Sequence, residues 1–575
     1  MLGLMLVSAF MEVVSLGAVL PFLAVLTAPE RVFAYPLVAN TAQAWGITSA
    51  NGLILPLTIV FSAAALLAGA LRMFLLWASM RLGLASGSDL SIELYRRTLY
   101  QPYQVHLARN SSEVIASITQ KVNGVAYGVL QPVLILSSSV VLLAAVMAML
   151  IAINPMAACT AALGFGISYA LIASVVRRRL KLNGERVARE QTQMVKALQE
   201  GLGGIRDVLL DGAQPMYCEI YRQADYPLRR AQGDNQFISA SPRYAMEALG
   251  IVLIAALAYV LSQSGQGGVG AALPTLGALA LGAQRLLPAL QQSYSAWVAI
   301  MSSQASLAET LALLDQPLPA EASQPLPAPL VFKDSIRFDK VRFRYSAETP
   351  WVLDTLDLTI LKGARVGFIG STGSGKSTTL DLLMGLLSPT DGALLVDEQP
   401  VVGSHLRAWQ RTIAHVPQSI YLADTTLAEN IAFGVPRADI DMERVRQAAR
   451  QAQIADFIES RSEGYDAFVG ERGIRLSGGQ RQRIGIARAL YKQASVLVFD
   501  EATSALDNAT EQSVMEAIDG LDRDLTILLI AHRLTTVRHC DVIVELDKGC
   551  VAAQGSYDEL LARSAGFQKL AHGLN

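Results

Sequence analysis

Gly370-Ser371-Thr372-Gly373-Ser374-Gly375-Lys376-Ser377 fits the pattern G-x-x-x-x-G-K-[ST] of a phosphate-binding loop. Residues 366–369 before it, Val-Gly-Phe-Ile, read as a buried strand, and residues 378–387 after it read as an apolar helix. Three glycines let the backbone wrap closely around a polyphosphate with its N–H groups turned inward. The N-terminus of the following helix adds its positive end. Lys376 is placed to reach the β- and γ-phosphates, and the Ser377 hydroxyl to ligate Mg²⁺. The stretch therefore predicts an α/β domain built on a strand–loop–helix unit in the second half of the chain.

At 575 residues the chain is long enough for more than one domain. Hydrophobic residues make up 52% and charged residues only 17%, with a formal net charge of −2. Residues 1–315 carry a slight basic excess and the remainder an acidic one. An acidic phosphate-loop domain lacks the basic face of a nucleic-acid binder, so no nucleic-acid partner is expected. Cys159, Cys218, Cys540 and Cys550 have no C-x-x-C spacing, and they read as packing residues rather than a metal site or a disulfide framework.

Working towards the N-terminus, residues 2–26 are apolar except for Glu12. They form a membrane span rather than a cleaved leader, because no basic segment precedes them. On this reading the chain begins inside its first span, without an interfacial lead-in helix. Further spans are expected at 53–80, 129–153, 157–176, 248–261 and 271–290, with Asn154-Pro155 as a tight turn. The connections 81–121 and 177–243 are rich in Arg and Lys, which keeps them on the cytoplasmic side together with both chain ends. Both connections are helix-patterned, so the spans should continue past the bilayer and turn at short segments, 101–113 and 209–225, able to touch a cytoplasmic domain. Glu12, Arg72 and Arg285 are charges within spans. Such charges are either functional or neutralised by pairing and snorkelling. Residues 316–330 hold five prolines and read as a semi-rigid linker. The expected architecture is an all-α polytopic membrane domain of six long helices (1–315), this linker, and an α/β nucleotide-binding domain (331–575).

Beyond the phosphate loop, residues 338–345 alternate like a strand ending at Tyr345, an aromatic able to stack on a purine. Val496-Leu497-Val498-Phe499-Asp500-Glu501 reads as a buried strand delivering acids at its C-terminal end. Asp500 suits a metal held through water and Glu501 suits a general base. Leu476-Ser477-Gly478-Gly479-Gln480 opens a helix over 481–491 and offers another anion-binding end.

These motifs in this order resemble the ATP-binding cassette (ABC) domain over residues 330–575. The resemblance implies Tyr345 as the adenine-stacking aromatic. It places Thr378 beside the loop as a nucleotide contact. Gln418 in Val416-Pro417-Gln418 becomes the sensor of Mg²⁺ and of the membrane half, Asp507 in Ser504-Ala505-Leu506-Asp507 the D-loop acid, and His532 the switch histidine. It implies ATP and Mg²⁺ as ligands, with each ATP held between the Lys376 loop of one cassette and Ser477 to Gln480 of another. One cassette per chain then calls for a second copy, a homodimer with two complete sites. Six spans followed by a cassette resemble the half-transporter exporters, multi-pass proteins of the cell (inner) membrane.

The membrane half is similar to the lipid-linked oligosaccharide flippases of bacterial protein glycosylation. The similarity lies in Phe10-Met11-Glu12, Pro21-Phe22, Arg72, residues 110–113, Pro242-Arg243 with Glu247 and Gly250, and Arg285-Leu286-Leu287-Pro288. It implies an amphipathic, lipid-linked substrate whose pyrophosphate meets Arg72 and Arg285. Guanidinium forks suit phosphates. An exporter of lipids or hydrophobic drugs is the alternative. A soluble ABC ATPase is excluded by the fused spans, and a gated channel has no visible ring of pore-lining charge. Glu501→Gln is expected to bind ATP and to lose nearly all hydrolysis in a steady-state ATPase assay; near-normal turnover would remove Glu501 as the general base.

Overall fold

The protein is described here from a computed structural model. It covers residues 1–27, 29–33, 38, 49–153, 155–264, 268–500, 511–512, 524–530, 537–564 and 566–568. The chain divides into two compact units, Met1–Gln101 with Ala108–Leu318, and Pro102–Leu107 with Pro319–Asn575.

The first unit is helical. Helix α1 (Leu2–Gly17) breaks at Ala18 before α2 (Val19–Thr27), whose third residue is Pro21. A proline near a helix start removes an N–H and resists fusion with the preceding turn. Helix α3 (Ile54–Leu99) runs for 46 residues. At a rise of about 1.5 Å per residue it spans roughly 70 Å, more than twice the roughly 30 Å hydrocarbon core of a bilayer. It stops just before Pro102, which disfavours helical backbone at the preceding residue. The short α4 (Tyr103–Ala108) follows, and then Asn110 caps the next helix by accepting from the Ser112 amide at 3.0 Å.

Four more long helices follow: α5 (Gln131–Ile153), α6 (Pro155–Gly203, 49 residues), α7 (Gln214–Ala240) and α8 (Pro242–Ser264). Helix α9 (Gly268–Ser302) then bends by 54° at Ser303 into α10 (Gln304–Leu314). The apolar stretches expected to be spans lie on these helices; α3 and α6 run well beyond theirs, whereas the first stretch, expected as one span, is divided between α1 and α2. Among the described residues three helices are long and apolar enough to cross a membrane, or four if the bent pair counts as one. Asn154, expected at a turn, lies outside the described residues.

The bend at Ser303 is tightly clasped. The approach to α5 contains two π-helical turns, Ser117–Lys121 and Ala126–Leu130. A Cβ on Gly184 would stand 2.3 Å from the Ser302 carbonyl, so only glycine fits where α6 crosses the bend. Below the bend, the buried Lys121 ammonium pairs with Glu309 on α10. Arg97 donates to the terminal carbonyl of α10 at Leu314 and to Gln316 O at 3.2 Å, a cation at a helix C-terminus where the dipole favours it.

The second unit contains two sheets. A four-stranded sheet has the order β2–β1–β4–β5, from β1 (Ser335–Phe343), β2 (Leu353–Leu361), β4 (Asp391–Val396) and β5 (Gln399–Pro400). A six-stranded sheet has the order β10–β9–β3–β8–β7–β6. Its parallel members are β3 (Arg365–Ile369), β6 (Ile413–Val416), β7 (Val496–Asp500), β8 (Thr526–Ile530) and β9 (Val542–Asp547), with β10 (Cys550–Gly555) antiparallel at one edge. The parallel strands are continuous apolar runs because both faces are covered by core. Helix α11 (Lys376–Leu383) follows β3, α12 (Gly403–Thr412) precedes β6, and α13 (Gly478–Tyr491) precedes β7.

Two expectations are corrected. The first strand ends at Phe343 rather than Tyr345, after bulges on either side of Val341, so Tyr345 sits on the loop beyond it. Of the four cysteines only Cys540 is buried; Cys159, Cys218 and Cys550 are exposed and do not serve as core packing.

Trp409 anchors the second unit. It is fully buried, its indole donates to Leu383 O at 2.7 Å at the end of α11, and its ring meets Phe332 edge-on at 5.9 Å. Trp409→Ala is expected to cost about 3–5 kcal/mol and to lower the thermal midpoint at which nucleotide binding is lost, measured on the full chain.

Candidate functional site

Parallel-sheet geometry brings the phosphate-loop residues together. The carboxyl ends of β3, β6 and β7 lie along one edge, where open α/β sheets bind ligands. Leaving β3, the loop winds through left-handed backbone at Gly370 (φ 146°) and Gly375 (φ 102°). A Cβ at Gly370 would stand 2.2 Å from Leu546 O, and one at Gly375 would stand 2.6 Å from a Leu353 methyl. The cradle therefore excludes side chains at both places. Lys376 is almost fully buried, and its ammonium donates to Gly370 O at 2.8 Å and Ser371 O at 2.9 Å. The loop is wound around its own lysine. Ser374 Oγ is buried without a hydrogen-bond partner among the described residues, an orphan that a phosphate oxygen would satisfy.

Asp500 ends β7, as expected, and Gln418 follows β6 by two residues. Ser377 is exposed at the first turn of α11. Ser377, Gln418 and Asp500 supply oxygens of the hard type that Mg²⁺ takes. Tyr345 is 40% exposed, packs edge-on against Phe343 at 5.0 Å, and its hydroxyl lies 3.3 Å from Thr378 Oγ1. Ser377 and Thr378 thus share one turn with Lys376. Ser371, Thr372 and Gly373 form the exposed rim. Glu501, Asp507 and His532 lie outside the described residues.

Ser477 caps α13 in a reciprocal box with Gln480: the Gln480 amide donates to Ser477 Oγ at 3.2 Å and the Ser477 amide to Gln480 Oε1 at 2.9 Å. The box leaves the amides of Gly478 and Gly479 at the helix start, with Ser477 and Gly478 exposed.

The segment 101–113, expected to touch the cytoplasmic domain, does so: Pro102–Leu107 belongs to the second unit, and Gln104 donates to Tyr345 O at 2.7 Å. One residue near the loop escaped the sequence reading, Asp381 on α11. Burial, then the charge of Asp500, pushes its carboxyl up to about 6. An acid in the helix whose N-terminus attracts anions was the available signal.

In the first unit the structure brings Glu12 and Arg72 together. Their side chains form an ion pair in which Glu12 is buried and Arg72 half-exposed. The pair borders a hollow of about 130 Å³ with Ser138, Ser139, Gln284 and Gln292. A second hollow of about 420 Å³ is lined by Tyr169, Gln284, Gln291, Gln292 and the ion pair Arg243–Glu247 at 2.7 Å. The side chain of Arg285 lies outside the described residues.

Comparison with known proteins matches the family "ABC transporter" over residues 353–504 and "ABC transporter transmembrane region" over residues 9–283. Among curated relatives, an ATP-dependent lipid A-core flippase of Cupriavidus metallidurans is 34% identical over 68% of this chain and 66% of its own length. One of Alkalilimnicola ehrlichii is 33% identical over 71% of this chain and 68% of its own length. The chain thus spans about two thirds of the length of these relatives. Among solved structures, a bacterial Atm1-family ABC exporter with ATP bound superposes with a TM-score of 0.79, at 27% identity, over 97% of both chains.

The Asp381 shift gives a pH dependence with a definite sign. A carboxyl whose folded-state pKa is raised holds its proton where the unfolded chain has lost it, so its stabilisation is full below about pH 4 and is lost as pH rises through about 6. Thermal midpoints of wild type and Asp381→Asn, compared stepwise from pH 4 to 7, should show the wild type losing ground to the variant as pH rises. A constant difference would contradict the shift.

Proposed function

The chain belongs to the ABC transporters, with a membrane region and a nucleotide-binding region on one polypeptide, and on that premise we propose that it uses ATP to move an amphipathic lipid across the cell (inner) membrane. Two copies associate so that Lys376 of one and Ser477 to Gln480 of the other enclose each ATP. The Lys376 ammonium, now held by two carbonyls, turns to the phosphate oxygens, and Ser374 Oγ gains its missing partner. The Gly478 and Gly479 amides close on the γ-phosphate from the opposite copy. Ser377, Gln418 and, through water, Asp500 would hold Mg²⁺, which would supply positive charge against the developing phosphate charge. Glu501 takes the proton of the attacking water, while His532 orients that water against the γ-phosphate.

The substrate is a lipid with a glycan headgroup, in its sharpest form a polyprenyl-pyrophosphate oligosaccharide. The observation that carries this reading is the Glu12–Arg72 pair beside a polar hollow within apolar helices. A charge at that depth is costly unless it is paired or functional. Here the half-exposed guanidinium keeps donors directed outward while Glu12 holds it in place. Relatives named lipid A-core flippases support the coarser class, lipid translocation. An ABC exporter of lipids or hydrophobic drugs is the second reading, and the Atm1-family neighbour is itself an ABC exporter.

The test is a leaflet-exchange assay in liposomes with a fluorescent polyprenyl-pyrophosphate glycan. Wild type should move it only with ATP, and Arg285→Ala should cut that movement by at least ten-fold while basal ATPase stays within about two-fold. Hydrophobic drugs that compete for transport, with no movement of the glycolipid, would establish the exporter instead.

A further inference from the structure

Gln284, Pro288 and Gln292 line both hollows of the membrane unit. Spaced four residues apart on α9, they form one face of the helix, and all three are exposed. A primary amide facing hydrocarbon is expensive, so polar residues inside apolar helices face a cavity, a partner group or a ligand. The neighbouring amide shows the structural use of such a residue. Gln291 donates to Ser239 O at 2.8 Å and to Ser295 Oγ at 3.2 Å, and accepts from Tyr169 OH at 3.1 Å, tying three helices together. Gln284 and Gln292 do none of this: among the described residues neither amide has a hydrogen-bond partner.

The charges around this face are already matched. Arg72 is paired with Glu12 on one side, and Arg243 with Glu247 on the other. What the described side chains leave open between them is neutral and carries both donors and acceptors. A phosphate only accepts and an ammonium only donates; a hydroxyl does both, as an amide does. Tyr169, Met246 and Leu287 supply apolar surface in the larger hollow, suited to the C–H faces of a ring. Its volume of about 420 Å³ falls within the roughly 300–1,000 Å³ of small-molecule sites.

We infer that Gln284 and Gln292 form a subsite for uncharged, hydroxyl-rich sugar rings, separate from the guanidinium groups that meet phosphate. The inference rests on the glycolipid reading above and adds to it where the headgroup is read. Sugar hydroxyls donate to the amide oxygens and accept from the amide nitrogens. Selectivity for glycan over bare lipid then comes from this face.

The experiment measures equilibrium binding of two probes to the full-length protein in nanodiscs: polyprenyl pyrophosphate bearing a disaccharide, and the same lipid without sugar. Wild type should prefer the glycosylated probe by about ten-fold, the worth of two net hydrogen bonds. Gln284→Leu/Gln292→Leu should erase the preference while leaving sugar-free binding and basal ATPase unchanged, and Gln292→Asn should erase part of it. Absence of a preference in wild type, or its survival in the double variant, would overturn the inference. So would loss of the dimer in the double variant, which would make this face a subunit contact. Leaflet exchange run in parallel separates the two claims: preferential binding without ATP-driven movement keeps the subsite and removes the flippase.

Discussion

Everything in the second unit depends on a buried cation held in a glycine loop. Lys376 sits nearly dry between two carbonyls of its own loop, where an unpaired ammonium would be strongly unfavourable. Those carbonyls point inward only because Gly370 and Gly375 take left-handed backbone in places where a side chain would collide. The parallel strands fix where this happens, with Gln418 and Asp500 at neighbouring strand ends. These strands are continuous apolar runs buried on both faces. In the proposed ATP complex the Lys376 ammonium would exchange two neutral acceptors for charged ones, a gain for charge-assisted hydrogen bonds.

A second constraint governs the helical unit: charge in an apolar medium must be matched. Glu12–Arg72 and Lys121–Glu309 are the described examples deepest in the structure. They serve different ends. Lys121 lies beneath the Ser303 bend and ties α10 to the π-helical approach of α5, so it fixes the exit of the chain from the membrane unit. Glu12–Arg72 borders an open hollow, which suits recognition. Pairing alone does not distinguish the two roles; the hollow does.

Local patterns made much of this legible. The phosphate loop, the acid ending a buried strand and the serine opening α13 are contiguous motifs, and each falls where its spacing placed it. Apolar stretches marked the membrane helices, and basic connections marked their extension. What escaped depends on distance along the chain. The bulged end of β1 moved Tyr345 off its strand because pairing with β2 and β4 is not written in alternation alone. Contact of the 101–113 segment with the second unit is expected from the sequence, and only its partner, Tyr345, was not legible, because the two lie far apart in sequence. Three of the four cysteines proved exposed because composition says nothing about which face of a helix or edge strand a residue occupies. The unpartnered amides of Gln284 and Gln292 stood out only once Gln291 was seen to be fully bonded.

In the proposed dimer the Lys376 loop is half of a site, completed by a second copy across the Ser477 helix start. The most direct measurement is a disulfide trap with cysteines placed at exposed Ser371 and Ser477, in a chain whose own four cysteines are replaced. Under conditions that block hydrolysis, ATP should raise the yield of a chain-to-chain cross-link several-fold over the nucleotide-free protein. A yield independent of ATP, or a link formed within one chain, would contradict the claim that a partner closes the phosphate cradle.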